Sequence, residues 1–301
     1  MKPRILFVVD TDQWAWGIKT REVRKHLSDE FEIDMLATIE KRLEASSPKT
    51  TKVDLSSYDL CFTYGYSFID FLKSVPKHKK ITGVTAHRPT NIIAPKMAKA
   101  TAIHANSSLL YKQVSKLHPN VYYLPNGVNE NLFKFSPIPE NREFTAGHVG
   151  KLSPRKGQKE IIEPAIKEAG VKYVYHYNKF RDKKPHNKMP KIYYKFDVAL
   201  IASIEDGTPG SLLEAASCGR PAISNKIGNA PEFIKDGING FLVGRNINEY
   251  VEKLLWLQKN RKSLIKMGEE ARKTVESGWT WKIQSENYRK MFKELLNGKK
   301  I

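Results

Sequence analysis

Short apolar runs bounded by glycine, proline or polar residues alternate along this chain with stretches whose apolar positions recur at helical spacing. Residues 4–10 (RILFVVD), 59–64 (DLCFTY), 80–86, 100–105 and 121–124 have the length and β-branched or aromatic content of buried strands. Between them, residues 19–27 and 68–73 read as helices, and Asn106-Ser-Ser opens a third. A second series follows, with strands at 145–150, 171–177, 198–202, 222–224 and 241–243. Helices are expected near Gly157, over 187–195, from Ser211 and at Pro231, and the last three over 248–259, 261–277 and 282–296. Strands that alternate with helices predict an α/β chain with parallel sheets. Residues 134–144 (KFSPIPENREF) carry two prolines among polar residues and read as a linker. The expected domains are 1–140 and 141–279, with 280–301 left as a terminal helix.

The most informative stretch runs from Phe196 to Val243. An apolar strand there leads into the turn Asp206-Gly207-Thr208-Pro209-Gly210, and Ser211-Leu212-Leu-Glu214 starts a helix. Free backbone N–H groups at the helix start, at Gly210 and Ser211 just after Pro209, together with the helix dipole, suit a phosphate. Asp206 and Glu214, with seven residues between them, flank that anion site. Ser211-x-x-Glu214 is equally a capping box, and Asp206 beside a glycine is ordinary turn chemistry.

The run Asp206-Gly-Thr-Pro-Gly-Ser-Leu-Leu-Glu-Ala-Ala-Ser-Cys-Gly-Arg-Pro, followed by Pro231-Glu232 and Asp236-Gly-Ile-Asn-Gly-Phe-Leu-Val, resembles glycosyltransferase family 4, the glycosyl transferases group 1. The resemblance implies the GT-B fold, in which two Rossmann-like parallel-sheet domains face a cleft and a C-terminal helix crosses back to the first. It also implies a retaining, metal-independent enzyme that uses a nucleotide-diphosphate sugar and requires no cofactor. Asp206, where the family usually has glutamate, would reach hydroxyls of the donor sugar, with Glu205 as a competitor. Glu214 would grip the nucleotide ribose. Lys151 and Lys156 match the two basic positions that hold the donor pyrophosphate, and lysine at the first replaces the commoner arginine with a point charge. Gly207, Thr208, Pro209, Gly210, Ser211 and Leu212 complete the expected donor site.

His87 falls directly after a strand, at the carboxyl edge where open α/β sheets gather ligands, and matches the histidine the family places beside the reacting sugar. Gly17 is the single candidate for a first-domain glycine loop facing the donor phosphates; Trp14 and Trp16 beside it also fit a hydrophobic staple. Asp10-Thr-Asp12 imitates a metal-binding Asp-x-Asp and reads as a decoy. Tyr and His side chains near 176–178 are candidates for the nucleotide base.

Composition narrows the setting. With 301 residues, 40% hydrophobic and 28% charged, the chain supports two globular cores. Two distant cysteines, Cys61 and Cys218, form neither a metal spacing nor a disulfide framework, and no run is long enough to span a bilayer. A cytoplasmic protein is expected, possible contact with a membrane surface being peripheral. Net charge is +19: residues 1–144 contribute 21 − 15 = +6 and the rest 30 − 17 = +13, with eight basic residues over 172–195. Such a balance favours anionic partners. The expected reaction moves a sugar from a UDP-sugar, or a GDP-sugar, to a hydroxyl of an envelope glycan or lipid-linked sugar. A DNA glycosyltransferase acting on modified pyrimidines, and an inactive nucleotide-sugar binder, are the alternatives.

Overall fold

The computed structural model describes residues 1–39, 42–44, 53–177 and 185–298. The chain divides into two compact units, Met1–Asn126 with Trp281–Ile301, and Gly127–Thr280. The first holds β1 (Arg4–Val9), α1 (Ala15–Leu27), β2 (Glu32–Ala37), β3 (Arg42–Glu44), β4 (Leu60–Thr63), β5 (Lys80–Val84), α2 (Thr90–Met97), β6 (Ala102–Ala105), α3 (Ser108–Val114) and β7 (Val121–Tyr123). Its sheet has the order β3-β2-β1-β4-β5-β6-β7, parallel except for the β2–β3 pair.

The second unit holds β8 (Thr145–Gly150), α4 (Glu163–Ala169), β9 (Lys172–Tyr177), α5 (Pro190–Tyr193), β10 (Val198–Ile201), α6 (Gly210–Ser217), β11 (Ala222–Asn225), α7 (Ala230–Phe233), β12 (Gly240–Val243), α8 (Ile247–Lys259) and α9 (Arg261–Gly278). Its sheet, β12-β11-β10-β8-β9, is parallel throughout. Core clusters lie on both faces of each sheet, as parallel sheets require, which is why the strands read as unbroken apolar runs.

The last helix, α10 (Trp281–Leu296), belongs to the first unit. Trp281, Tyr288, Met291 and Phe292 enter the core on one face of its sheet, and Phe292 meets the rings of Phe7, Phe31 and Phe62. Arg289 and Lys293 pair with Glu30, and Arg289 also pairs with Asp29 at 3.1 Å. In the second unit, Val128 pairs with Thr280, so the two points at which the chain enters and leaves it are adjacent.

Several elements differ from expectation for definite reasons. The division falls at 126/127, earlier than 140/141, because Ile138 of the expected linker, and Phe133 just before it, pack into the second unit's cores. β2 is hidden in sequence by Asp34, which interrupts its apolar run. Its buried carboxylate is accommodated by Arg4 at 3.1 Å and by the Tyr58 hydroxyl at 2.7 Å. The expected helix at 68–73 is a 3-10 turn, Tyr66–Leu72, and α1 starts at Ala15 rather than Lys19. Near Gly157 the chain forms a π-helical turn, Gln158–Ile162, before α4 begins. The 187–195 helix resolves into a 3-10 turn, His186–Lys188, and the short α5.

Candidate functional site

In the second sheet β8 is followed by β9 on one side and β10 on the other, so the direction of winding reverses between β8 and β10. Ligands of open α/β sheets bind outside the carboxyl ends of the strands at such a switch point. The loops leaving these two strands carry the predicted basic and acidic residues. After β8, Pro154–Lys156 forms a 3-10 turn closed by Gly157 in the left-handed conformation at φ 71°. A Cβ at Gly157 would stand 2.3 Å from the Ala202 carbonyl oxygen, so glycine lets this loop lie directly on the end of β10. The Ile204 amide donates to the Arg155 carbonyl at 2.8 Å, and Lys156 forms an ion pair with Asp206.

Side chains from elsewhere in the unit anchor this loop pair. The carbonyls of Ile201, Ala202 and Ser203 accept hydrogen bonds from the Tyr250 hydroxyl, Arg245 Nε (3.0 Å) and Asn225 Nδ2 (2.8 Å). His148, buried in β8, has Nδ1 2.9 Å from the Leu200 carbonyl and Nε2 3.0 Å from Gln158 Nε2. Nδ1 therefore carries the proton and Nε2 accepts from the Gln158 amide, which also donates to the Lys151 carbonyl at 2.8 Å. Burial lowers the His148 pKa to about 4, so the ring stays neutral and the network keeps this sense. Gly228, at φ 53°, packs under the second loop: a Cβ there would meet the carbonyl oxygens of Gly207 and Asp206 at 2.5 and 2.8 Å.

α6 begins directly after this loop. Its N-cap is Pro209, with no side-chain capping bond; Gly210 is exposed and Ser211 half-buried. The capping-box alternative for Ser211 and Glu214 is not what the structure shows. Glu214 instead accepts from the Tyr193 hydroxyl at 2.5 Å and from His186 Nε2 at 3.2 Å. Burial, followed by the neighbouring Glu214, pushes the Tyr193 hydroxyl well above its ordinary pKa, so it remains a donor. Thr208 and Gly207 are buried in the turn, and Lys151 is exposed. Leu212 is a core residue whose amide donates to the Pro209 carbonyl at 2.9 Å.

The first-unit candidates lie at the carboxyl edge of that unit's own sheet. His87 sits between β5 and α2, half-buried, with Nδ1 3.2 Å from Gln113 Oε1. Gly17 does not form an open glycine loop. It is buried in the first turn of α1, where a Cβ would stand 2.1 Å from the Asp12 carbonyl oxygen, so packing alone requires glycine there. Trp16 stacks on Tyr64 and meets Phe68 edge-on, a core role. Asp12 is buried with its carboxylate 3.5 Å from Arg21, and among the described residues no group of three or more His, Cys, Asp and Glu is placed to hold a metal. Tyr177 stacks on Tyr175 and donates to Glu163 at 2.9 Å; residue 178, and the basic residues over 178–184, lie outside the described residues. No helix among the described residues is long and apolar enough to cross a membrane.

Tyr193, His186, Gln158, His148 and Gln113 escaped the sequence reading. Each is a single polar residue in an otherwise ordinary strand, turn or helix, and only its tertiary neighbour gives it meaning.

Residues 178–274 match the family model described as glycosyl transferases group 1. An uncharacterized glycosyltransferase of Methanocaldococcus jannaschii is 29% identical over 143 residues, which are 47% of this chain and 36% of that protein. The trehalose synthase of Pyrococcus horikoshii is 37% identical over 92 residues, 31% of this chain and 22% of that protein. The matched region thus spans about a third or less of these two relatives. Among solved structures, Anabaena HepE in complex with UDP and glucose superposes with a TM-score of 0.74 at 15% identity, covering 97% of this chain and 100% of that one, a likeness of fold. The family resemblance read from the acidic motif therefore holds: residues 178–274 are a glycosyl transferases group 1 segment, in a chain of the GT-B fold class.

Proposed function

We propose that this chain is a retaining, metal-independent glycosyltransferase that takes its sugar from a nucleotide-diphosphate sugar, a UDP-sugar first and a GDP-sugar second. The observation that carries the reading is the meeting of Lys156 and Asp206 at the switch point of the second sheet, beside the uncapped start of α6. Lys156, Lys151 and the amides at Gly210 and Ser211 neutralise the charge that grows on the departing diphosphate, an electrostatic contribution that needs no metal. For this to happen the Lys156–Asp206 pair opens. The ammonium turns to phosphate, and the Asp206 carboxylate is released to accept from hydroxyls of the donor sugar. Glu214, already oriented by Tyr193 and His186, retains lone pairs for the ribose hydroxyls. Resemblance assigns His87 of the first unit to the reacting sugar. The complex of HepE with UDP-glucose supports a uridine donor. Net charge of +19 supports an anionic acceptor, a glycan or lipid-linked sugar.

A thermal-shift panel of UDP-glucose, GDP-mannose and ADP-glucose tests this on wild type, Lys156→Ala and Glu214→Gln, the last leaving Tyr193 an acceptor. A ligand at a hundred times its Kd adds about 2.7 kcal/mol. One nucleotide sugar should stabilise wild type and lose its effect in both variants. No shift with any of the three at millimolar concentration would overturn the donor-site assignment.

A further inference from the structure

His87 owes its place to more than the loop it stands in. α3 is capped by Ser107, whose hydroxyl accepts from the Leu110 amide at 3.3 Å, and buries Leu110 and Val114. Gln113, three residues after Leu110, therefore lies on the flank of the buried face, where it is half-buried. Its two amide atoms face different groups. Nε2 is 2.9 Å from the Arg88 carbonyl, which can only accept, so the NH2 end of the amide must point there. Oε1 is then the atom 3.2 Å from His87 Nδ1, and an amide oxygen can only accept. The proton of a neutral His87 must sit on Nδ1, with Nε2 left as an acceptor.

We infer that Gln113 is a positioning residue: by bridging the Arg88 carbonyl and His87 Nδ1 it fixes the imidazole in the Nδ1–H tautomer and makes Nε2 a hydrogen-bond acceptor for a substrate hydroxyl. This rests on the placement of His87 in the active site and deepens it, because the tautomer decides what His87 can recognise. An Nε2 lone pair accepts a hydrogen bond from a sugar hydroxyl and repels a phosphate oxygen. The opposite tautomer, the one ordinarily favoured by a free imidazole, would present an N–H and prefer phosphate or carbonyl oxygen. Gln113 thus suits His87 to a carbohydrate hydroxyl rather than to a phosphate oxygen. The same bridge ties the His87 ring to the Arg88 carbonyl, which limits rotation of the ring.

Long-range proton–nitrogen NMR of the histidine rings reads the tautomer directly, with the His87 signals assigned from His87→Gln. In wild type at a pH where the ring is neutral, Nδ1 should show the protonated shift and Nε2 the unprotonated one. Gln113→Met, which keeps the side-chain length but offers no amide oxygen, should move His87 to the Nε2–H form or to a mixture. Gln113→Glu, which keeps an acceptor at that point, should restore Nδ1–H. An Nε2–H signal in the wild type, or no change in Gln113→Met, would overturn the inference. Adding UDP-glucose, GDP-mannose and ADP-glucose in turn tests the underlying placement separately. If none moves the His87 resonances while the tautomer behaves as stated, Gln113 still sets the ring and the assignment of His87 to the active site fails.

Discussion

Gly228 and Gly237 provide a controlled measure of how tightly the loop carrying Asp206, the proposed donor site, is built. Both adopt left-handed backbone conformations, at φ 53° and 74°. Alanine in that region costs roughly 1–2 kcal/mol, offset in part by the about 0.4–1 kcal/mol gained from a less flexible unfolded chain. Around Gly237 nothing lies within 4 Å of the new methyl group, so Gly237→Ala should lose about 1 kcal/mol or less. At Gly228 the methyl would stand 2.5 Å from the Gly207 carbonyl oxygen and 2.8 Å from that of Asp206, both backbone atoms that no side-chain rotation can move aside. Overpacking of this kind adds about 1–3 kcal/mol, for a total of roughly 2–4 kcal/mol. Urea denaturation of the two variants beside wild type reads the difference. Calorimetric titration with the nucleotide sugar reads the displaced loop, which should weaken binding at least about tenfold in Gly228→Ala alone, as about 1.4 kcal/mol of misplacement requires. Equal losses of stability, with unchanged affinity in both, would refute the packing of Gly228 beneath Asp206.

Further outcomes follow from buried groups. His148 has its pKa lowered from 6.5 to about 4 by burial, so the folded state resists a proton that the unfolded chain accepts; its contribution is complete above pH 6.5 and is lost as pH falls toward 4, on the order of 3 kcal/mol in all. Denaturation midpoints followed from pH 7 to 4 should fall steeply in wild type and less steeply in His148→Gln. Phe292→Ala should cost about 3–5 kcal/mol, because the ring meets Phe7, Phe31 and Phe62 at centroid distances of 6.2, 5.6 and 6.4 Å; near-wild-type stability in thermal unfolding would mean that α10 is not docked on the first unit. Burial pushes the thiols of Cys61 and Cys218 up to about 12, so both should ignore a disulfide reagent in the native protein and react on unfolding; rapid native labelling would contradict their placement.

The local pattern of residues determined much of this molecule. Continuous apolar runs produced strands buried on both faces, Pro209-Gly210 and Gly219 bounded α6, and the prolines and glycines marked most turns, because these effects act within a few residues. The acidic motif was legible for the same reason, since strand, turn and helix start all lie in one short segment. β2 was not legible, because the charge of Asp34 hides a strand whose carboxylate is compensated by Arg4 and Tyr58 from distant positions. Nor was the fate of Glu214, whose spacing from Ser211 fits a capping box as well as a ligand contact. Tyr193 and His186, on other elements, decided it. Most of all, only the order of strands in the second sheet makes β8 and β10 neighbours and brings Lys156 to Asp206, fifty residues away. Periodicity states that a segment is a strand, whereas the choice of its neighbour depends on how helices and crossovers cover the whole sheet. That choice belongs to the tertiary structure.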